Sequence, residues 1–126
     1  MTSNQLPLWR RAVAELLGTS LLVMIVVGSG IAAQRLSPND VGLQLLQNST
    51  ATVLGLTVLI LMLGPISGAH FNPAVSLADW ILGRRSGTGL TLPELCTYAV
   101  AQTMGAASGS VVANAMFDVG TSISTK

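Results

Sequence analysis

Three stretches of the chain, 16–34, 41–78 and 95–117, contain no charged residue and are mostly apolar. A spanning helix needs about 20 predominantly apolar residues to cross roughly 30 Å of hydrocarbon. The first and third stretches each predict one such helix, over about 12–33 and 93–117. The second predicts a helix over about 41–63, after which Gly64-Pro65 is expected to break it, because proline lacks the donor and its ring crowds the preceding turn. The connection Gln34 to Asp40, with Ser37-Pro38-Asn39 as a turn signal, separates the first two helices. A secretory signal would also place Arg10 and Arg11 ahead of an apolar run, but this run exceeds the 7–15 residues of a signal core, so a retained helix is expected.

The segment 66–82 is too short and too rich in turn residues for a full crossing, yet it is uncharged up to Asp79. Asn72-Pro73 reads as a helix start, since asparagine is a good N-cap and proline suits the first helical position. From Pro73 to Leu82 such a helix covers about 15 Å, half the hydrocarbon thickness. Its start would then lie deep in the bilayer, where non-helical backbone is tolerated only if buried in protein or lining a water-filled cavity. On this reading Gly68, Ala69 and His70 present carbonyls to a polar path, Asn72 offers its side-chain NH₂, and the partly positive helix N-terminus disfavours cations. The predicted architecture is an all-α membrane protein in a single unit, 1–126, with three transmembrane helices and one re-entrant half helix.

Composition agrees: 50% of residues are hydrophobic and 9% charged, the net charge is +1, and mean hydropathy is +0.64. A net charge near zero and few basic residues argue against nucleic-acid binding. One cysteine permits no internal disulfide, and one histidine leaves too few ligands for the usual metal sites. Neither metal nor cofactor is expected. Arg10, Arg11, Arg84 and Arg85 against Arg35 favour a cytoplasmic N-terminus, with the tail 118–126 outside and the plasma membrane as location. Small residues spaced by four, Ala14/Gly18, Ala51/Gly55 and Ala101/Gly105/Gly109, predict close helix packing. An intramembrane hydrolase using Ser67 and His70 is disfavoured, because no orienting third group is evident.

The run Ser67-Gly68-Ala69-His70-Phe71-Asn72-Pro73-Ala74-Val75 resembles the first Asn-Pro-Ala motif of the aquaporin and glycerol-facilitator family. Ala14-Glu15-Leu16-Leu17-Gly18-Thr19 and Ala101-Gln102-Thr103-Met104-Gly105-Ala106 are similar to motifs of that family's first and third helices. The resemblance implies one half of an inverted repeat that forms a passive channel, not an enzyme, for water or small neutral solutes such as glycerol or metalloid hydroxides. It implies pore-lining roles for Gly68, Ala69, His70, Asn72, Pro73 and Ala74, and loop-bracing roles for Glu15 and Gln102. It further implies packing at Gly18, Gly55, Gly105 and Gly109, and tetrameric assembly in the bilayer. Counting back from Asn72 places Thr52 or Leu54 at the second-helix filter position. Neither is aromatic, which favours a wider path than a water-selective one.

The sequence departs from the family's pattern in holding only the first Asn-Pro-Ala, without the second or its arginine. Two copies with the same orientation would insert both half helices from one side, whereas inverted repeats need opposite entries. The expectation is a half channel that conducts little unless a complementary C-terminal half is supplied. The alternative is a non-conducting truncated fragment or packing subunit.

Overall fold

A computed structural model of the chain describes residues 6–119, whose regular structure is four helices. They are α1 (Leu8–Leu36), α2 (Val41–Ser67), α3 (Pro73–Ser86) and α4 (Leu92–Met116). The tail read as external lies, from 120 on, outside the described residues.

α1 is the hub, packed between α2 and α4, while α3 lies against α4. α1 and α4 run parallel, as successive contacts show: Arg11 with Glu94 and Tyr98, Glu15 with Gln102, Ser20 with Ser108, and Arg35 with Phe117. α2 returns antiparallel, with Asn48 Nδ2 donating to the Val26 carbonyl and Ser29 Oγ near one end and Ser67 meeting Glu15 at the other.

Each helix boundary has a local cause. The Asp40 carboxylate accepts from the Leu43 N–H at 2.9 Å and caps α2. Glu94 accepts from the Thr91 N–H at 2.7 Å at the start of α4. The expected break at Gly64-Pro65 does not occur, for α2 continues to Ser67 with Pro65 inside it. Pro65 sits in the last turn, where it forfeits a single bond, and the helix ends instead at Gly68, whose φ of 93° lets its N–H close on the Gly64 carbonyl at 2.9 Å. α3 has 14 residues rather than ten, about 21 Å. Gly83 does not stop it, because the missing side chain admits the Gly89 backbone; a Cβ there would lie 2.2 Å from the Gly89 Cα. α1 likewise extends beyond both expected ends.

α1 and α2 are long and apolar enough to cross a membrane. α4 has the length, at 25 residues, but its composition is diluted by small and polar residues, of which Ala101, Gln102, Gly105, Gly109 and Ala113 are buried. The largest fully buried side chains are Tyr98, Gln102, Glu15 and Ser76, whereas Leu61, Leu82 and Met116 are among the most exposed. That arrangement inverts the soluble rule and suits a hydrocarbon surround.

Gly105 and Gly109 bring α4 onto the backbone of α1: a Cβ would lie 2.4 Å from the Leu16 carbonyl oxygen at the first and 2.2 Å from that of Ser20 at the second. Gly55 makes room for the Ile25 side chain of α1. Gly18 departs from the expected packing role, since the nearest atoms to its absent side chain all belong to the Phe71 ring from the α2–α3 loop. Gly→Ala in a helix is ordinarily favourable by about 0.5–1 kcal/mol. At Gly109 the sign is expected to reverse, with Gly109→Ala destabilising by about 1–3 kcal/mol through overpacking. Denaturant unfolding of the detergent-solubilised protein measures it, and a stabilised variant would contradict the backbone contact.

Candidate functional site

The five residues between α2 and α3 form a loop with unusual backbone geometry. Gly68 takes a φ of 93°, and two residues that bear side chains, Ala69 and Phe71, take 53° and 52°. Left-handed conformations at non-glycine residues cost on the order of 1–3 kcal/mol each and persist only where the surroundings impose them.

Glu15 imposes them. Its side chain is buried in α1, and its carboxylate accepts four hydrogen bonds from three separate parts of the chain. Oε1 receives the Ser67 hydroxyl at 2.6 Å and the His70 N–H at 3.0 Å; Oε2 receives the Phe71 N–H at 2.6 Å and Gln102 Nε2 at 2.9 Å. Four donors match the roughly four lone-pair sites of an ionised carboxylate. The Ala69 N–H donates to Ser67 Oγ at 3.1 Å, which adds a third consecutive loop amide to the same side. Phe71, 4% exposed, seats its ring in the notch at Gly18.

The consequence follows from peptide geometry. In a trans peptide the N–H of one residue and the C=O of the residue before it point in opposite directions, and no peptide among the described residues is cis. Binding the amides of Ala69, His70 and Phe71 on the Glu15 side therefore turns the carbonyls of Gly68, Ala69 and His70 away from it. None of these three accepts a hydrogen bond from the described residues. The Asn72 side chain accepts from the Ala74 N–H at 2.8 Å and so caps α3, leaving its Nδ2 with no partner among the described residues. Pro73, with no N–H to satisfy, and Ala74 follow on the exposed first turn. The loop thus presents three acceptors and one donor side by side.

Behind it a polar chain continues. Gln102 Nε2 also donates to Ser76 Oγ at 2.9 Å, and Ser76 Oγ lies 3.0 Å from His70 Nδ1. With Gln102 filling an acceptor site on Ser76, the hydroxyl proton is best placed on Nδ1, which assigns the His70 proton to Nε2. Tyr98 donates to the Ser67 carbonyl at 2.6 Å and accepts from Arg11 Nε at 3.0 Å, while Arg11 pairs with Glu94. Ser67 and His70 share no hydrogen bond, so the hydrolase pair is not assembled.

The structure brings Glu15 and Gln102 together with Gly68, Ala69, His70 and Asn72, and sets Thr52 and Leu54 apart on α2. Two residues along a helix point about 200° apart. Thr52 is half-buried with its hydroxyl unpartnered among the described residues, and Leu54 is 63% exposed. Sequence reasoning passed over Phe71, Ser76, Tyr98 and Arg11. The available signal was the helical spacing of Arg11 and Glu15 on α1 and of Glu94, Tyr98 and Gln102 on α4. No group of three or more potential metal ligands occurs among the described residues.

The sequence model of the "Major intrinsic protein" family matches residues 2–125. The chain belongs to the major intrinsic protein family. Major intrinsic proteins are membrane channels that act passively, not enzymes. Over 116 residues this one is 50% identical to aquaglyceroporin AqpS of Rhizobium meliloti (strain 1021), covering 92% of the chain and 47% of that protein. It is 43% identical to aquaporin-8 of Rattus norvegicus over 101 residues, covering 80% of the chain and 34% of that protein. With the probable aquaporin NIP7-1 of Arabidopsis thaliana it shares 33% identity over 114 residues, which is 90% of the chain and 38% of that protein. The chain spans about half the length, or less, of these relatives.

Removing the carboxylate charge is expected to cost more than removing any single partner. Glu15→Gln confronts two backbone donors with an amide that has only one oxygen, an expected loss of about 3 kcal/mol or more, against about 1–2 kcal/mol for Tyr98→Phe. Paired denaturant titrations in one detergent decide it, and equal losses would contradict the central place given to Glu15.

Proposed function

We propose that the chain forms the first half of a passive pore for small neutral solutes, with the 68–74 segment as its share of the lumen wall. The observation that supports this most directly is the row of three carbonyls at Gly68, Ala69 and His70, turned away from Glu15 and without a donor among the described residues. Backbone acceptors inside a membrane protein need a polar partner, and a permeating molecule that exchanges hydrogen bonds along the row supplies one. Asn72 Nδ2 is the matching donor, so a solute with hydroxyl groups both donates and accepts as it passes. In this reading the loop and α3 re-enter the bilayer from the cytoplasmic side, and the N-terminus is cytoplasmic in the plasma membrane.

The solute class is glycerol or a neutral metalloid hydroxide. Whichever of Thr52 and Leu54 stands at the filter position, neither is aromatic and the path stays wide, and the relative with 50% identity bears the name aquaglyceroporin. A carbonyl row needs an opposite wall. The 126 residues alone therefore conduct little, and a complementary half with a second Asn-Pro-Ala completes the lumen within an oligomer.

Stopped-flow light scattering on proteoliposomes tests the proposal. Vesicles with the chain alone are expected to shrink at the rate of empty vesicles, and co-reconstitution with a complementary half to accelerate glycerol equilibration. Fast equilibration by the chain alone would overturn the half-pore reading. In a Cys96→Ser background, Asn72→Cys is expected to react with a membrane-impermeant thiol reagent; complete protection would show that this segment lines no aqueous path.

A further inference from the structure

The start of α1, the second half of α3 and the start of α4 lie at one end of the molecule. The Arg11–Glu94 ion pair and the Leu90 N–H donating to Asp79 at 2.8 Å hold them there. Among the described residues this end has four arginines and, outside the buried Glu15, two carboxylates; the other has Arg35 against Asp40 and Asp118. Both carboxylates at the first end are engaged, Glu94 by Arg11 and Thr91 and Asp79 by the Leu90 amide. Arg10, Arg84 and Arg85 are exposed and form no ion pair among the described residues.

Tryptophans accompany these free charges. The Arg84 guanidinium sits 4.7 Å from the centroid of the Trp80 ring, one turn earlier on α3, and Arg10 sits 5.4 Å from that of Trp9, which is 64% exposed. Arginines near the end of a helix also complement its terminal carbonyls. In α3, however, the Gly83 carbonyl already accepts the Gly87 and Thr88 amides, and Arg84 lies over Trp80. Just before the arginines, Ile81 and Leu82 are 53% and 75% exposed. An apolar surface beside an indole, ending in two guanidiniums with no ion pair among the described residues, has the profile of a phospholipid at the bilayer boundary. Indoles favour the headgroup level, and guanidinium matches phosphate oxygens in a bidentate fork.

We propose that the C-terminal end of α3, Trp80 with Arg84 and Arg85, is a binding site for the headgroup of an anionic phospholipid, whose acyl chains lie on Ile81 and Leu82. The charge that selects the lipid is that of its phosphodiester and any further acidic group, so phosphatidylglycerol binds in preference to zwitterionic phosphatidylcholine. The site is independent of the pore, and a failure here leaves the pore reading untouched.

Native mass spectrometry of the full chain released from detergent with equal amounts of the two lipids measures the preference. Phosphatidylglycerol is expected to be retained about fivefold over phosphatidylcholine, in keeping with the attraction of an arginine to an anionic surface. Arg84→Gln with Arg85→Gln is expected to abolish the preference, and Arg35→Gln at the opposite end to leave it intact. Equal retention of both lipids by the unaltered chain, or an unchanged preference in the double variant, would overturn the proposal. A second measurement needs no arginine variant. In Trp9→Phe, Trp80 is the sole tryptophan, and its fluorescence in mixed vesicles is expected to be quenched more by brominated phosphatidylglycerol than by brominated phosphatidylcholine. Equal quenching would also refute the site.

Discussion

A carboxylate removed from water has to be solvated by the protein, and the Glu15 charge is solvated by four neutral donors rather than by a cation. Burying an ion costs several kcal/mol even after the protein relaxes, so the donors are held by what their departure would cost. They come from the end of α2, the following loop and α4. One charge thereby fixes the relative positions of three segments. Gly105 and Gly109 bring α4 close against α1 on the same face from which Gln102 reaches Glu15.

The strained loop is the return on this arrangement. Left-handed φ values at Ala69 and Phe71 would be unfavourable in isolation. Here they turn three successive amides toward one side, where the Glu15 carboxylate binds two directly and the Ser67 hydroxyl binds the third. Any conformation that relaxed φ would strand at least one amide, and a buried unsatisfied donor costs about as much as the strain it would relieve. Because the peptide plane is rigid, the carbonyl direction is set as a by-product of the amide direction. The bracing side and the presenting side of the loop are two faces of the same peptides.

Much of this was legible in the sequence, and the misreadings have definite causes. Charge-free stretches located the helices because charge is the residue property a bilayer tolerates least. Asn72-Pro73 located the start of α3 because capping is local chemistry. The end of α2 was misplaced because a proline removes one backbone bond without having to end a helix: α2 runs two residues past Pro65, and the glycine at 68 decides where it stops. α3 runs on past the expected Leu82, and Gly83 within it serves packing, its missing side chain admitting the Gly89 backbone. Tyr98 and Ser76 were passed over because a hydroxyl's role depends on partners brought in by the fold, 31 residues away for the Tyr98–Ser67 bond and 26 for Gln102–Ser76. The helical spacing of polar residues on α1 and α4 carried a signal that went unread, and which residues meet is set by the fold.

The electrostatics of the loop decide what kind of molecule its exposed face would favour. Three carbonyls in a row, with no donor among the described residues, would by themselves attract cations, since carbonyl oxygens can replace an ion's hydration shell. At the same point the N-terminus of α3 contributes roughly half a positive charge, and Asn72 Nδ2 adds a donor that a cation cannot use. Glu15 is the remaining charge, but each of its four lone-pair sites is occupied by a donor whose dipole opposes it, and it lies behind the amides rather than beside the carbonyls. The presented face is therefore a mixture of acceptors and one donor beside a weakly positive helix end. A molecule that both gives and receives hydrogen bonds gains from every element of that face, whereas an ion of either sign gains from some and is repelled by the rest.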